Sequence, residues 1–369
     1  MRLNSIWKKF LCLFLLLPVL YLPAYSQRVP DISPEEFTNM IISMSEYGGY
    51  FSSDNWVTNE VTYLDVIKPL EKLKIEGGVY MGVASNQNFT YIAAIRPELV
   101  FFVDIRHMNR MQHLVYKILF EESDTRAEFF SLLFSKPLGK EGSPGKDTNV
   151  DEIVNYFYRI PSNAEMLQKT CDKIIKTLKD KYKYPLETAD EREIDYVLRM
   201  FHTYNLDITY QGYYTSRSRW PRLSDLMRTT DFEGDQLNAF NSRDKFLYIK
   251  ELYHKNRIIP LTGNFAGTKA IRAVAEYLKA HDLTVTAYYV SNVENYLFRD
   301  GIFRSWVNNV KQLPITDQTV FIRWTHDQGW QRPQQSRLQY MKTFIKNYDS
   351  GRYYSYDDLK YYDYIKYER

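Results

Sequence analysis

The sequence predicts an α/β fold, a doubly wound and mostly parallel sheet that carries a helical insertion. Three observations predict it. Short Val-, Tyr- and Phe-rich runs alternate with amphipathic helices of about 10 to 15 residues, the rhythm of a parallel sheet. One run, ELVFFVDIR, is apolar almost throughout, as a strand buried on both faces requires. Two runs, GVYMGVASN and RIIPLTGNFAG, end in small-residue turns that lead straight into helices.

The elements follow in chain order. Residues 1–26 read as an export signal outside the fold. Lys8 and Lys9 give a positive start, Phe10 to Leu22 a 13-residue apolar run, and Ala24 and Ser26 the small residues before a cleavage point near Ser26–Gln27. A spanning helix needs about 20 apolar residues, and Pro18 interrupts this shorter run. The protein is therefore expected to be exported, to the periplasm or the cell surface. Its membrane contact would come only through this segment, if uncleaved.

Cleavage removes Arg2, Lys8 and Lys9 but no acids, so the 48 Lys plus Arg fall to match the 45 Asp plus Glu. A neutral chain lacks the net basic footprint of nucleic-acid binding, and no nucleic-acid partner is expected. Cleavage also removes Cys12 and leaves Cys171 alone, so no internal disulfide is expected. Cys171 falls at helical spacing with Leu167, Ile174 and Leu178, which reads as a buried structural thiol.

Residues 27–74 form a helical lead-in. Ser33 caps its first helix, Pro34 takes the first helical position and Glu36 completes a capping box. Residues 75–138 hold the first half of the α/β core: the strand GGVYMGVAS, a short helix ended near Pro97, the strand ELVFFVDIR, and a long helix with Met111, Leu114, Val115 and Ile118 inward. Residues 139–232 are a mainly helical insertion, opened by the LGKEGSPGKDT loop. Within it, 209–227 is aromatic and basic without a period and reads as a loop folded over something. Residues 233–345 return to the core: a helix over about 235–256, the strand ending in GNFAG, a helix, the strand LTVTAYYVSN, one helix across VENYLFRDGIFRSWVNNV, and the strand TVFIRW. The tail 346–369 is rich in tyrosine and carries no predicted fold.

Ligands of open parallel sheets bind beyond the carboxyl ends of the strands. The candidate cofactor-binding residues are therefore those at strand ends. Gly82, Ala84 and Ser85 form the first turn, where small residues let a ligand approach the backbone and the next helix favours an anionic group. Asp104 closes the second strand 22 residues after Gly82, a placement suited to ribose hydroxyls. Asn264 lies in the third turn and Ser291 opens a fourth rim segment, SNVEN. Spacing alone leaves two possibilities open, a bound adenosine-type ligand and an empty scaffold in which Asp104 pairs with Arg106 or caps the next helix.

The stretches YMGVASNQNFTYIAAIRPELVFFVDIR, LTGNFAGTKAIRAVAEYL and VTAYYVSNVENYLF resemble a family of uncharacterised exported or surface bacterial proteins. The core of that family is similar to class I S-adenosylmethionine-dependent methyltransferases. The resemblance implies a Rossmann-like, methyltransferase-like sheet and S-adenosylmethionine as cofactor. Carried over, Gly82 is the first glycine of the cofactor turn and Asp104 the ribose acid. Ala84 stands where the second glycine belongs, and no third follows. No Asn-Pro-Pro-Tyr-type motif follows the later strands, so the catalytic residues stay unassigned.

No metal is expected. His107 and His113 are six apart, where two ligands on one helix face prefer i, i+4; both read as solvated or rim residues. His326 and Asp327, after a strand, are an acid–base candidate. No Gly-x-Ser-x-Gly elbow or phosphate-loop motif occurs. The 32 tyrosines serve either as stacking surfaces or as ordinary core and surface residues. Two functional readings remain: an enzyme-like domain binding S-adenosylmethionine or a related nucleoside, and a non-enzymatic exported protein that kept the fold, lost the cofactor and meets a protein partner through the insertion or tail.

Overall fold

The computed structural model describes residues 29–139, 142–212, 220–325, 335–361 and 364–366. The segment expected to be an export signal, with Cys12, and the His326–Asp327 pair lie outside them. Six strands form one sheet: β1 (Val79–Gly82), β2 (Leu99–Asp104), β3 (Ile258–Thr262), β4 (Val285–Ser291), β5 (Ile315–Thr325) and β6 (Gln335–Tyr340). Their order across the sheet is β3-β2-β1-β4-β5-β6. All neighbours are parallel except β5 and β6. The architecture is the Rossmann-like α/β class that the alternation predicted.

Every residue of β1, β2 and β3 is buried, including the Pro260 ring within β3. Such strands need helices on both faces. One set, packed together, contains the Pro34–Met44, Ala270–Ala280 and Phe303–Val310 helices; the other contains the Gln87–Ile95, His107–Glu121 and Arg243–His254 helices. Phe101, Phe102 and Phe89 are fully enclosed between these layers, and each such side chain contributes about 1.5–3 kcal/mol on burial.

Local signals set several boundaries. The Ser33 hydroxyl accepts the Glu36 N–H at 3.1 Å and starts the first helix. The Gln87–Ile95 helix stops because Arg96 turns left-handed (φ 51°) before Pro97. Between β2 and β3 the chain is helical. The Thr188–Tyr204 helix of this region packs on His107–Glu121, and Cys171 is buried beneath it as a free thiol.

Four expectations need correction. The helix predicted over about 235–256 is shorter, Arg243–His254, and starts where the Ser242 hydroxyl accepts the Lys245 N–H. The helix predicted across 293–310 is two, Val293–Arg299 and Phe303–Val310, broken at Gly301 with φ 70°. The antiparallel strand β6 has no clean apolar alternation and escaped notice. The described part of the tail is folded: Tyr353 and Leu359 are buried, Tyr356–Tyr361 is helical, and the Ile365 N–H bonds the Leu338 carbonyl of β6 at 2.8 Å. Burial of its apolar residues outweighs the biased composition that seemed to forbid a fold.

A buried ion pair ties this edge together. Glu294 takes Nη2 of Arg323 at 2.9 Å and also accepts its Nε–H, while Trp306 donates to the same carboxylate at 3.0 Å. Both charged side chains are enclosed, so the pair links β5 to two helices at a desolvation cost that the three hydrogen bonds offset.

Candidate functional site

The strand order reverses at β1, whose neighbours are β2 on one side and β4 on the other. An open sheet splits into a crevice at such a point. Here the crevice is a cleft of about 960 Å³ at the carboxyl ends of β1 to β5. Ala84, Ser85, Asp104, Asn264 and Ser291 all line it. Five of the six candidate residues thus line the cleft, while the readings of Gly82 and His113 need correction.

Gly82 is the first correction, since it does not line the cleft. A Cβ at Gly82 would collide with the Asn88 Oδ1. Asn88 closes the turn itself, donating to the Val83 carbonyl at 2.8 Å and the Ser85 carbonyl at 2.9 Å while accepting from the Tyr80 hydroxyl at 2.8 Å. Glycine is needed for that packing, not for ligand approach.

Asp104 follows one of the alternatives left open by its spacing, the pairing with Arg106. Its Oδ1 accepts the Arg106 backbone N–H at 2.9 Å and the Nε–H at 3.1 Å. Its Oδ2 accepts Nη2 of Arg106 at 2.9 Å and the Ala84 N–H at 3.2 Å. Both oxygens are engaged and the residue is 3% exposed. The acid joins the β1 and β2 turns and has little capacity left for a ribose.

The third strand turn is also occupied from within. Glu46 accepts the Asn264 N–H at 3.0 Å, and its carboxylate sits so close to Gly267 that any side chain there would strike it. Asn264 spends its own Oδ1 on the Ala266 N–H at 2.9 Å. An anionic ligand group would meet a carboxylate at this turn.

His113 is the second correction, because it is fully buried, not a rim residue. Its ring stacks on Phe102 with centroids 4.1 Å apart, and Nε2 donates to the Ala84 carbonyl at 2.8 Å. Burial lowers its pKa to about 4, so it is neutral and Nδ1 stays bare. His107 instead sits half-buried against Glu193 at 2.8 Å and Asp190 at 3.3 Å.

Three cleft residues hold left-handed backbone without being glycine: Asn55 (φ 52°), and a pair at strand ends, Ala84 (φ 63°) and Ser291 (φ 51°). The pair flanks the reversal point, one after β1 and one ending β4. Ala84 occupies the conformation that a second glycine would fill, so the turn keeps its path although the residue differs. Non-glycine residues in this region cost free energy and gather at sites where geometry is imposed.

The residue that sequence reasoning missed is Glu60. It lies in a segment without hydrophobic period, and TNEVT carries no motif. In the structure it lines the cleft yet is only 1% exposed. The hydroxyls of Tyr289 and Ser291, brought together by an irregularity in β4 between them, both donate to its Oε1 at 2.5 Å. Gln87 Nε2 donates to the Tyr289 hydroxyl at 2.6 Å. Glu60 Oε2 and Gln87 Oε1 are buried with no partner. Desolvation pushes the Glu60 pKa up to about 7 against the opposing hydrogen bonds from Ser291 and Tyr289. The group can hold or release a proton near neutrality.

Aromatic rings form the mouth. Phe51 meets Tyr296 edge-on at 5.3 Å, Tyr210 meets Trp220 at 5.5 Å, and Tyr50 stands exposed. Part of the aromatic 209–227 segment therefore does cover something, while 213–219 lies outside the described residues. Tyr356, Asp357 and Lys360 of the tail close another side.

Among the described residues no group of three or more His, Cys, Asp or Glu is placed to hold a metal ion, and no helix is long and apolar enough to cross a membrane. A family model described as a domain of unknown function, DUF7790, matches residues 55–351, which span the whole sheet and the cleft floor. No curated protein matches the chain.

Proposed function

The chain belongs to the DUF7790 family, and from its cleft we propose a ligand-binding α/β protein that takes a nucleoside-type small molecule, S-adenosylmethionine or a relative of it. The observation that carries this reading is the pair of left-handed residues, Ala84 and Ser291, across the reversal point of the sheet. Backbone held in that conformation on both sides of a cleft of this size suits a ligand lying flat against the turns. The aromatic mouth supplies stacking surfaces for a base. In this reading the protein works outside the cytoplasm after removal of residues 1–26, and its ligand is drawn from that compartment.

Calorimetric titration of the purified protein with S-adenosylhomocysteine and with adenosine tests the reading, with Tyr296→Ala as the variant. Micromolar affinity that drops about tenfold, or 1.4 kcal/mol, in the variant supports it. No heat from a folded wild type sinks it.

A second reading, an interaction protein that kept the fold and lost the cofactor, draws on one specific observation. The Asp104 oxygens are taken by Arg106 and Ala84, and Glu46 fills the third turn. On that reading the helical region 139–232 or the tail meets a protein partner, and cross-linking of the exported protein in place would recover it.

A further inference from the structure

We propose that Glu60 anchors an amino group of the ligand, with Glu60 Oε2 and Gln87 Oε1 together receiving its N–H donors. The inference rests on the cleft being a ligand site, but not on the ligand being a nucleoside.

Hydrogen-bond directions fix which atoms are left over. The Tyr289 hydroxyl has one hydrogen and gives it to Glu60 Oε1. Gln87 must therefore present Nε2 to that hydroxyl, because a flipped amide would set two acceptors on one hydrogen. The outward atom of Gln87 is then Oε1, an acceptor. Ser291 supplies the second donor to Glu60 Oε1, so any proton on the carboxyl resides on Oε2. Two enclosed oxygens at the cleft lining thus lack partners. Gln87 Oε1 is a buried acceptor without a donor, Glu60 Oε2 becomes one when its proton leaves, and such acceptors are costly unless something donates to them.

The charge balance favours a cation as that donor. The ionisable groups coupled to Glu60 are the phenols of Tyr80, Tyr91, Tyr289 and Tyr356, all pushed well above their ordinary range by burial and therefore neutral. Of the cations that line the cleft, Arg106 pairs with Asp104, Arg299 with Asp300 and Lys360 with Asp357. Among the described residues no lysine or arginine forms an ion pair with Glu60. An ammonium entering the cleft would supply the missing positive charge. The step balances simply: the neutral carboxyl loses its Oε2 proton to solvent, and the resulting carboxylate pairs with the ligand ammonium, which keeps all its hydrogens. The near-neutral pKa of Glu60 places this exchange within easy reach of ordinary pH.

The test follows the Glu60 carboxyl carbon by NMR in the full protein, assigned by its loss in Glu60→Gln. The pH titration is run alone, with methylammonium chloride, and with tetramethylammonium chloride, which has the charge but no N–H. The expected result is a midpoint near neutrality in the free protein that falls by about one unit or more with methylammonium only. Gln87→Leu, with its fold checked by circular dichroism, is expected to lose most of that displacement. A free midpoint in the ordinary carboxylate range, no displacement, or equal displacement by both cations overturns the proposal. Silence toward S-adenosylhomocysteine would overturn the nucleoside reading and leave this result standing.

Discussion

The Asp104 carboxylate and the Arg106 guanidinium form a closed pair two residues apart, Oδ2 to Nη2 at 2.9 Å, with both side chains enclosed. Arg106 also donates to the Asp54 carbonyl and so fastens the cleft wall to the floor. Removing one member leaves the other charge buried and alone. Asp104→Ala is therefore expected to cost about 3–5 kcal/mol in chemical denaturation. The double variant Asp104→Leu with Arg106→Met should recover much of that loss. A folded, undiminished Asp104→Ala protein would show that the pair does not hold the two turns together.

Glu60 makes stability depend on pH in a defined direction. Its pKa rises from 4.5 in the unfolded chain to about 7 in the fold. Between those values the native state holds the extra proton, so stability falls as pH rises. The full excursion amounts to roughly 3 kcal/mol. Glu60→Gln keeps an acceptor for Tyr289 and Ser291 and removes the titration. It should match the wild type near pH 4.5 and exceed it by about 2–3 kcal/mol at pH 8. Urea midpoints across pH would sink the idea if the two curves ran parallel.

His113 acts in the opposite sense. Its pKa drops from 6.5 to about 4, so the unfolded chain binds the extra proton and stability falls as pH drops through that window. The two slopes oppose each other between pH 4.5 and 6.5 in the wild type. Glu60→Gln should expose the histidine limb as a clear rise in stability with pH. Adding His113→Phe, which keeps a ring against Phe102, should flatten it at a cost of about 1–2 kcal/mol for the unpaired Ala84 carbonyl. A slope that survives the second substitution assigns it to another group.

Ala84 tests whether the first turn is strained. A left-handed alanine costs about 1–2 kcal/mol in the fold, and glycine adds about 0.4–1 kcal/mol of unfolded-state freedom. Ala84→Gly is thus expected to leave the melting temperature unchanged or slightly higher. A clear drop would show that the methyl group packs against something worth more than the strain.

The order of elements was legible because β1, β2 and β3 are enclosed on both faces and therefore written in unbroken apolar residues. The break at Gly301 was hidden because apolar residues continue on either side of it, and β6 was hidden because Arg337 and Gln339 interrupt its pattern. The cleft itself could be found from strand ends. The Asp104–Arg106 pair was one of the alternatives that spacing left open, and side-chain direction, which spacing does not encode, decided it. Glu60 was invisible for a different reason: it meets Tyr289 and Ser291 across 229 and 231 residues of chain. No local pattern encodes such a meeting.

The cleft draws its walls from Tyr50 at one extreme of the folded chain and Lys360 at the other. β1 at the floor pairs with β4, far along the chain, so the cleft is assembled only once nearly the whole chain is available. A nascent chain has no complete pocket, and a ligand can stabilise only the finished molecule. Its effect on yield would appear in the lifetime of the protein and not in the speed of its making.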